Sequence, residues 1–144
     1  GYMIGSMPNL KTLILNWKDP NYSQHLNNSI YWSASTGNIV TIHGWCIGIM
    51  NSGWMYVHPN ALVEVTWVGV AKGNVNLRKA FANNSTSETN TDQNLKQECV
   101  LDLIENHLSN EGGTLTLGSN KAYALWDSWG YIDKLTAKNW SVVY

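Results

Sequence analysis

Three stretches of the chain alternate apolar and polar residues behind an asparagine turn. They read Asn9-Leu10-Lys11-Thr12-Leu13-Ile14-Leu15, Asn38-Ile39-Val40-Thr41-Ile42 and Asn60-Ala61-Leu62-Val63-Glu64-Val65-Thr66-Trp67. Alternation of this kind predicts strands near 10–15, 38–43 and 62–68. Their first apolar anchors, Leu10, Ile39 and Leu62, lie 29 and 23 residues apart. A repeated strand at such a period implies units that cannot bury their apolar faces alone and must stack to form a core.

The pattern then changes. Val75-Asn76-Leu77 predicts a short edge strand, and residues 83–94 carry no apolar side chain, which predicts a loop. Leu95, Cys99, Val100, Leu103, Ile104, His107 and Leu108 recur at helical intervals and predict a helix over 93–108. Thr91 or Asp92 is suited to cap its start, and Gly112-Gly113 to stop it. Thr114-Leu115-Thr116-Leu117 predicts a strand. Ala122, Leu125, Trp126, Trp129 and Ile132 predict a weaker helical stripe interrupted at Gly130, and residues 139–144 a last strand.

The expected fold class is therefore α/β: a short leucine-rich-repeat-like solenoid with a parallel sheet and a C-terminal helix-strand cap. Residues 1–82 would supply the repeat-like units and 83–144 the cap of the same domain. Leucine-rich repeats have the period of about 20–29 residues seen here.

The C-terminal part carries a resemblance. Val100-Leu101-Asp102-Leu103-Ile104-Glu105-Asn106, then Thr114-Leu115-Thr116-Leu117-Gly118, then Leu135-Thr136-Ala137-Lys138-Asn139-Trp140-Ser141-Val142 resembles the closing segment of BspA-like leucine-rich repeat proteins. Asn74-Val75-Asn76-Leu77-Arg78-Lys79-Ala80-Phe81 is similar to their phrase before a polar turn. Asn139 stands where that family has Gly, a mild departure because Asn also tolerates positive φ. Residues 18–59 fit less well, since Gly44 occupies a position where a Leu is expected. The resemblance implies an interaction surface on a bacterial surface protein, or on a related phage tail protein. It brings no catalytic residues.

Composition narrows the partners. Formal net charge is −1, charged residues are only 13%, and the nine Lys and Arg are scattered. Nucleic acid is not expected as a partner, because no basic stripe is present. No apolar run approaches the ~20 residues of a membrane span. Gly1-Tyr2-Met3 opens mid-pattern and reads as part of a larger chain or assembly. Eight Trp and seven Tyr stand against one Phe. Trp is highly buried on average, so the core is the default place for any one of them; binding surfaces are the other common use.

The chemistry-bearing residues do not form a catalytic set. His43, Cys46 and His58 lack the paired short spacings of a zinc site, and no base or orienting group marks a thiol nucleophile. Glu64, Asp102, Glu105, Asp127 and Asp133 have no spacing that predicts an acid–base pair. No enzyme activity and no cofactor are expected. The strands are more informative. If Leu10, Leu13, Leu15 and their counterparts face inward, alternation sends Thr12, Ile14 and Asn16 to the exposed face. It also sends out Thr41, His43 and Trp45, and then Glu64, Thr66 and Val68. Thr41, His43, Trp45, Glu64 and Thr66, rimmed by Trp17 and Trp54, are the candidate site for a protein or glycan ligand. Trp45 would offer a stacking face, His43 and Glu64 directional hydrogen bonds. The expected location is the cell surface or extracellular space. A phage tail or receptor-binding virion component is the alternative, with contacts in the Trp-rich loops at 17–32 and 45–56.

Overall fold

The computed structural model describes residues 11–14, 39–47, 55–56, 62–77, 80–82 and 94–144. The expectations for the loop at 18–37, the polar run at 83–93, Trp17, Trp54, His58 and the Thr91/Asp92 cap fall outside these residues. Within them the protein is mixed α/β, with two parallel three-stranded sheets.

The first sheet has the order β1-β2-β4, from β1 (Thr12–Ile14), β2 (Ile39–Trp45) and β4 (Leu62–Trp67). Its register sets Thr12 beside Thr41 beside Glu64, and Ile14 beside His43 beside Thr66. After the Val68-Gly69-Val70 turn, β5 (Ala71–Asn76) enters a second sheet of order β5-β7-β8, with β7 (Leu108–Thr116) and β8 (Trp140–Val143). A short parallel pair joins β3 (Met55–Tyr56) to β6 (Ala80–Ala82). Three helices, α1 (Gln97–Asn106), α2 (Asn120–Ser128) and α3 (Tyr131–Ala137), complete the described part.

One core joins the two three-stranded sheets and the helices. Ile42, Val63 and Val65 of the first sheet are buried in the same cluster as Val75, Leu115 and Trp140 of the second, with Val100, Leu103, Ile104 and Leu135 from the helices. Each fully buried aliphatic side chain in such a cluster is worth about 1.5–3 kcal/mol over exposure. Two buried indoles keep their N–H groups satisfied: Trp67 Nε1 donates to the Cys99 carbonyl at 2.8 Å, and Trp140 Nε1 to the Ser109 carbonyl at 2.8 Å.

Several boundaries differ from the sequence expectation for identifiable reasons. The helix expected over 93–108 forms only over Gln97–Asn106. Leu95 instead makes a parallel bridge to Val63, and Leu108 opens β7. Apolar residues at both ends of the stripe are buried in strands, which periodicity alone does not separate from helix. Gly112 and Gly113 do not stop a helix; they lie inside β7, where Gly113 sits between Gly73 and Trp140 in the register. Of Val75-Asn76-Leu77, the first two residues end a longer strand, β5, and Leu77 lies just beyond it. The weak stripe near Gly130 is two helices separated at that residue, whose φ is 80°. Asn139 has φ 66°, in the left-handed region that Asn tolerates better than most residues.

Candidate functional site

The outer face of the β1-β2-β4 sheet brings most of the expected residues together. A parallel register at the ~4.8 Å strand spacing places Thr12, Thr41 and Glu64 in one row and Ile14, His43 and Thr66 in the next. His43 Nδ1 lies 3.4 Å from Thr66 Oγ1 across that row. At the near end Ile39 lies beside Leu62. Thr12, His43 and Thr66 are exposed, and Thr41 and Glu64 are partly covered.

Two expectations need correcting. Leu10 and Leu13 are three residues apart, so a strand of period two does not send both inward. The counterparts of Leu10, namely Ile39 and Leu62, are 47% and 50% exposed, while Ile42, Val63 and Val65 take the inner face. The second correction is Trp45, which is 1% exposed and therefore offers no stacking face. The cause is an irregularity between His43 and Trp45, where Gly44 adopts φ 88° and the register slips. The extra residue reverses the parity of the strand, so Trp45 pairs with buried Trp67 rather than continuing the exposed set. Cys46, just past the end of β2, is buried as well.

One contributor was not singled out from sequence. Asn94 and Lys96 hydrogen-bond the backbone of Val63, so a short segment lies along the free side of β4 and sets Lys96 next to Glu64. Lys96 Nζ lies 3.2 Å from Glu64 Oε1 and 3.2 Å from Glu98 Oε1. Hydrogen bonds that Lys96 donates to Glu98 and then to Glu64 hold its ammonium above the usual lysine range. Glu98 is held below the usual carboxylate range, first by its own backbone N–H and then by Lys96. A signal existed: Asn94-Leu95-Lys96 repeats the Asn9-Leu10-Lys11 phrase. It is slid by one residue, so Leu95 faces inward opposite Val63.

The result is an amphipathic surface: a stripe of hydroxyls, imidazole, carboxylate and ammonium bordered by Ile39 and Leu62 at one end and Ile14, 72% exposed, at the other. It can donate and accept directional hydrogen bonds beside apolar contact area. Among the described residues no group of three His, Cys, Asp or Glu is placed to hold a metal ion, and no helix is long and apolar enough to cross a membrane. Comparisons with protein-family models, curated proteins and solved structures give no match.

Proposed function

We propose that the chain is a non-catalytic binding module that engages a protein or glycan ligand through the outer face of the β1-β2-β4 sheet. On this reading it is a short leucine-rich-repeat-like solenoid from a bacterial surface protein, acting at the cell surface or outside the cell. The observation that carries the reading is the register. It aligns Thr12, Thr41 and Glu64, and Ile14, His43 and Thr66, into one exposed surface with Ile14, Ile39 and Leu62 left uncovered. Ile39 and Leu62 are neighbours in the register, and adjoining exposed apolar side chains beside polar ones suit an interaction site.

The repeat reading draws on the pairing distances. Thr12 pairs with Thr41 at 29 residues, Thr41 with Glu64 at 23, Met55 with Ala80 at 25, and Gly113 with Trp140 at 27. These fall in the range of about 20–29 for leucine-rich repeats. Gly73 pairs with Gly113 at 40, outside that range.

A glycan array and a panel of matrix proteins, screened with the wild-type chain, test the proposal. For any ligand found, Glu64→Ala and His43→Ala should each weaken binding by about 5–10-fold, the effect of losing a contact worth about 1 kcal/mol. Lys121→Ala, on α2 and away from this face, should not. Affinity unchanged in both sheet-face variants would move the site elsewhere.

A further inference from the structure

We infer that the outer edge of β8 is a self-association site, where a second copy of this chain pairs its own β8 antiparallel and joins two three-stranded sheets into one. The inference begins with the direction of the backbone groups. The carbonyl of Asn139 accepts from Gly113 N–H at 3.2 Å, and that of Val143 from Leu117 N–H at 2.8 Å. Both therefore point toward β7, and so does Ser141 between them, since direction alternates along a strand. Trp140, Val142 and Tyr144 consequently direct their N–H and C=O groups away from the sheet. Among the described residues no strand pairs with that side of β8. The comparable outer edge of β4 is occupied, by Asn94 and Lys96.

An edge of this kind is a template for another strand, and proteins usually blunt it with a charge, a proline or a bulge. Residues 140–144 contain no charged side chain and no proline, and the β7–β8 register runs without a shift from Gly113–Trp140 to Thr116–Val143. The preceding cation is engaged elsewhere: Lys138 Nζ donates to the carbonyls of Ile104 and Glu105 at the end of α1, at 2.6 and 3.3 Å. Large apolar surface remains uncovered beside the edge, with Val143 44% and Tyr144 59% exposed. Tyr144 is held against Tyr123 of α2, with ring centroids 5.0 Å apart.

The identity of the occupant follows from symmetry and charge. Trp140, Val142 and Tyr144 are the described residues directed outward, and a two-fold axis can pass through the middle one. A two-fold axis there sets Val142 opposite Val142 of the second copy, and Trp140 opposite its Tyr144. Each outward N–H then meets an outward C=O in the antiparallel pattern. Val143 falls opposite Ser141 of the other copy on the outer face. An isologous contact must be self-complementary, and an uncharged strand meets its copy without like-charge repulsion.

Sedimentation of the chain from micromolar to about 1 mM concentration, where weak pairing becomes populated, tests this together with amide hydrogen exchange. The mass should rise from 16.1 kDa toward twice that value. Over the same range the amides of Val142 and Tyr144 should gain protection, while those of Ser141 and Val143, already bonded to β7, should change little. Val143→Lys places a charge on an exposed position and should leave the melting temperature in place while keeping the chain monomeric. Val142→Pro removes an outward donor without removing a β7 bond and should do the same. A chain that stays monomeric throughout overturns the inference. So does a dimer in which Val142 and Tyr144 exchange freely, or one that survives Val143→Lys.

Discussion

At Gly113 an added Cβ would run into the Gly73 carbonyl and come within 2.8 Å of the Trp140 ring, so the backbone of β7 passes where no side chain fits. Gly73 differs: its φ of 75° disfavours an L side chain, but nothing lies within 4 Å of a Cβ built there. Gly113→Ala should therefore cost about 2–3 kcal/mol, in the upper range of overpacked sites. Gly73→Ala should cost only the left-handed backbone penalty of about 1–2 kcal/mol. Urea unfolding of the two variants checks the order. Trp45→Ala belongs to the same scale. As a core residue beside Trp67 it should lose about 3–5 kcal/mol of stability. The outward direction expected for Trp45 came from a correct rule, strict alternation from Thr41 and His43. One inserted glycine with positive φ reversed it, and alternation carries no sign of such an insertion. The exposed direction of Thr12, His43 and Thr66 was legible because no irregularity interrupts those rows.

At the scale of elements, α1 shows what apolar spacing specifies and where it stops. Val100, Leu103 and Ile104 form the buried stripe that the periodicity predicted. The ends were misplaced because Leu95 and Leu108 are equally apolar but serve in strand contacts on either side. The start of α1 has no side-chain cap at Lys96, and Glu98 in its first turn lies favourably toward the positive end of the helix dipole. The Glu98 carboxyl is held low, so its contribution to stability is present above the ordinary glutamate pKa and is lost as pH falls through the depressed value. Glu98→Gln should accordingly lower the melting temperature slightly at neutral pH, and the gap from wild type should shrink at acid pH, below the ordinary glutamate range. Scans at the two pH values check it. Next along the helix, burial pushes the Cys99 thiol up, and its Sγ accepts from Val65 N–H at 3.4 Å. That thiol should react slowly with iodoacetamide at neutral pH and much faster in urea, because the thiolate is the reactive form.

At the scale of the molecule, the core is continuous from Ile42 to Trp140, so neither three-stranded sheet owns a separate interior. Contacts between distant parts of the chain make the link specific: Trp67 of β4 donates to Cys99 of α1, and Ala71 of β5 is hydrogen-bonded to His107 after it. His107 itself reaches back, with Nδ1 2.7 Å from the Gly69 carbonyl and Nε2 3.4 Å from Asp102. The parallel arrangement was legible because a recurring strand separated by long connections cannot pair as a hairpin. The division into two sheets was not, since the turn that moves the chain between them, Trp67-Val68-Gly69-Val70-Ala71, is nearly as apolar as the strands it joins. Because Trp45, Trp67, Trp126 and Trp140 are all buried in that one core, their fluorescence samples both sheets and the helices together. Unfolding followed by Trp emission and by far-ultraviolet circular dichroism should therefore trace a single coincident transition in urea. Leu103→Ala, at a fully buried position between the sheets, should shift both curves equally and cost about 2–5 kcal/mol. Separated transitions would mean that the two sheets unfold independently, and the shared core would not then be what holds the binding face in register.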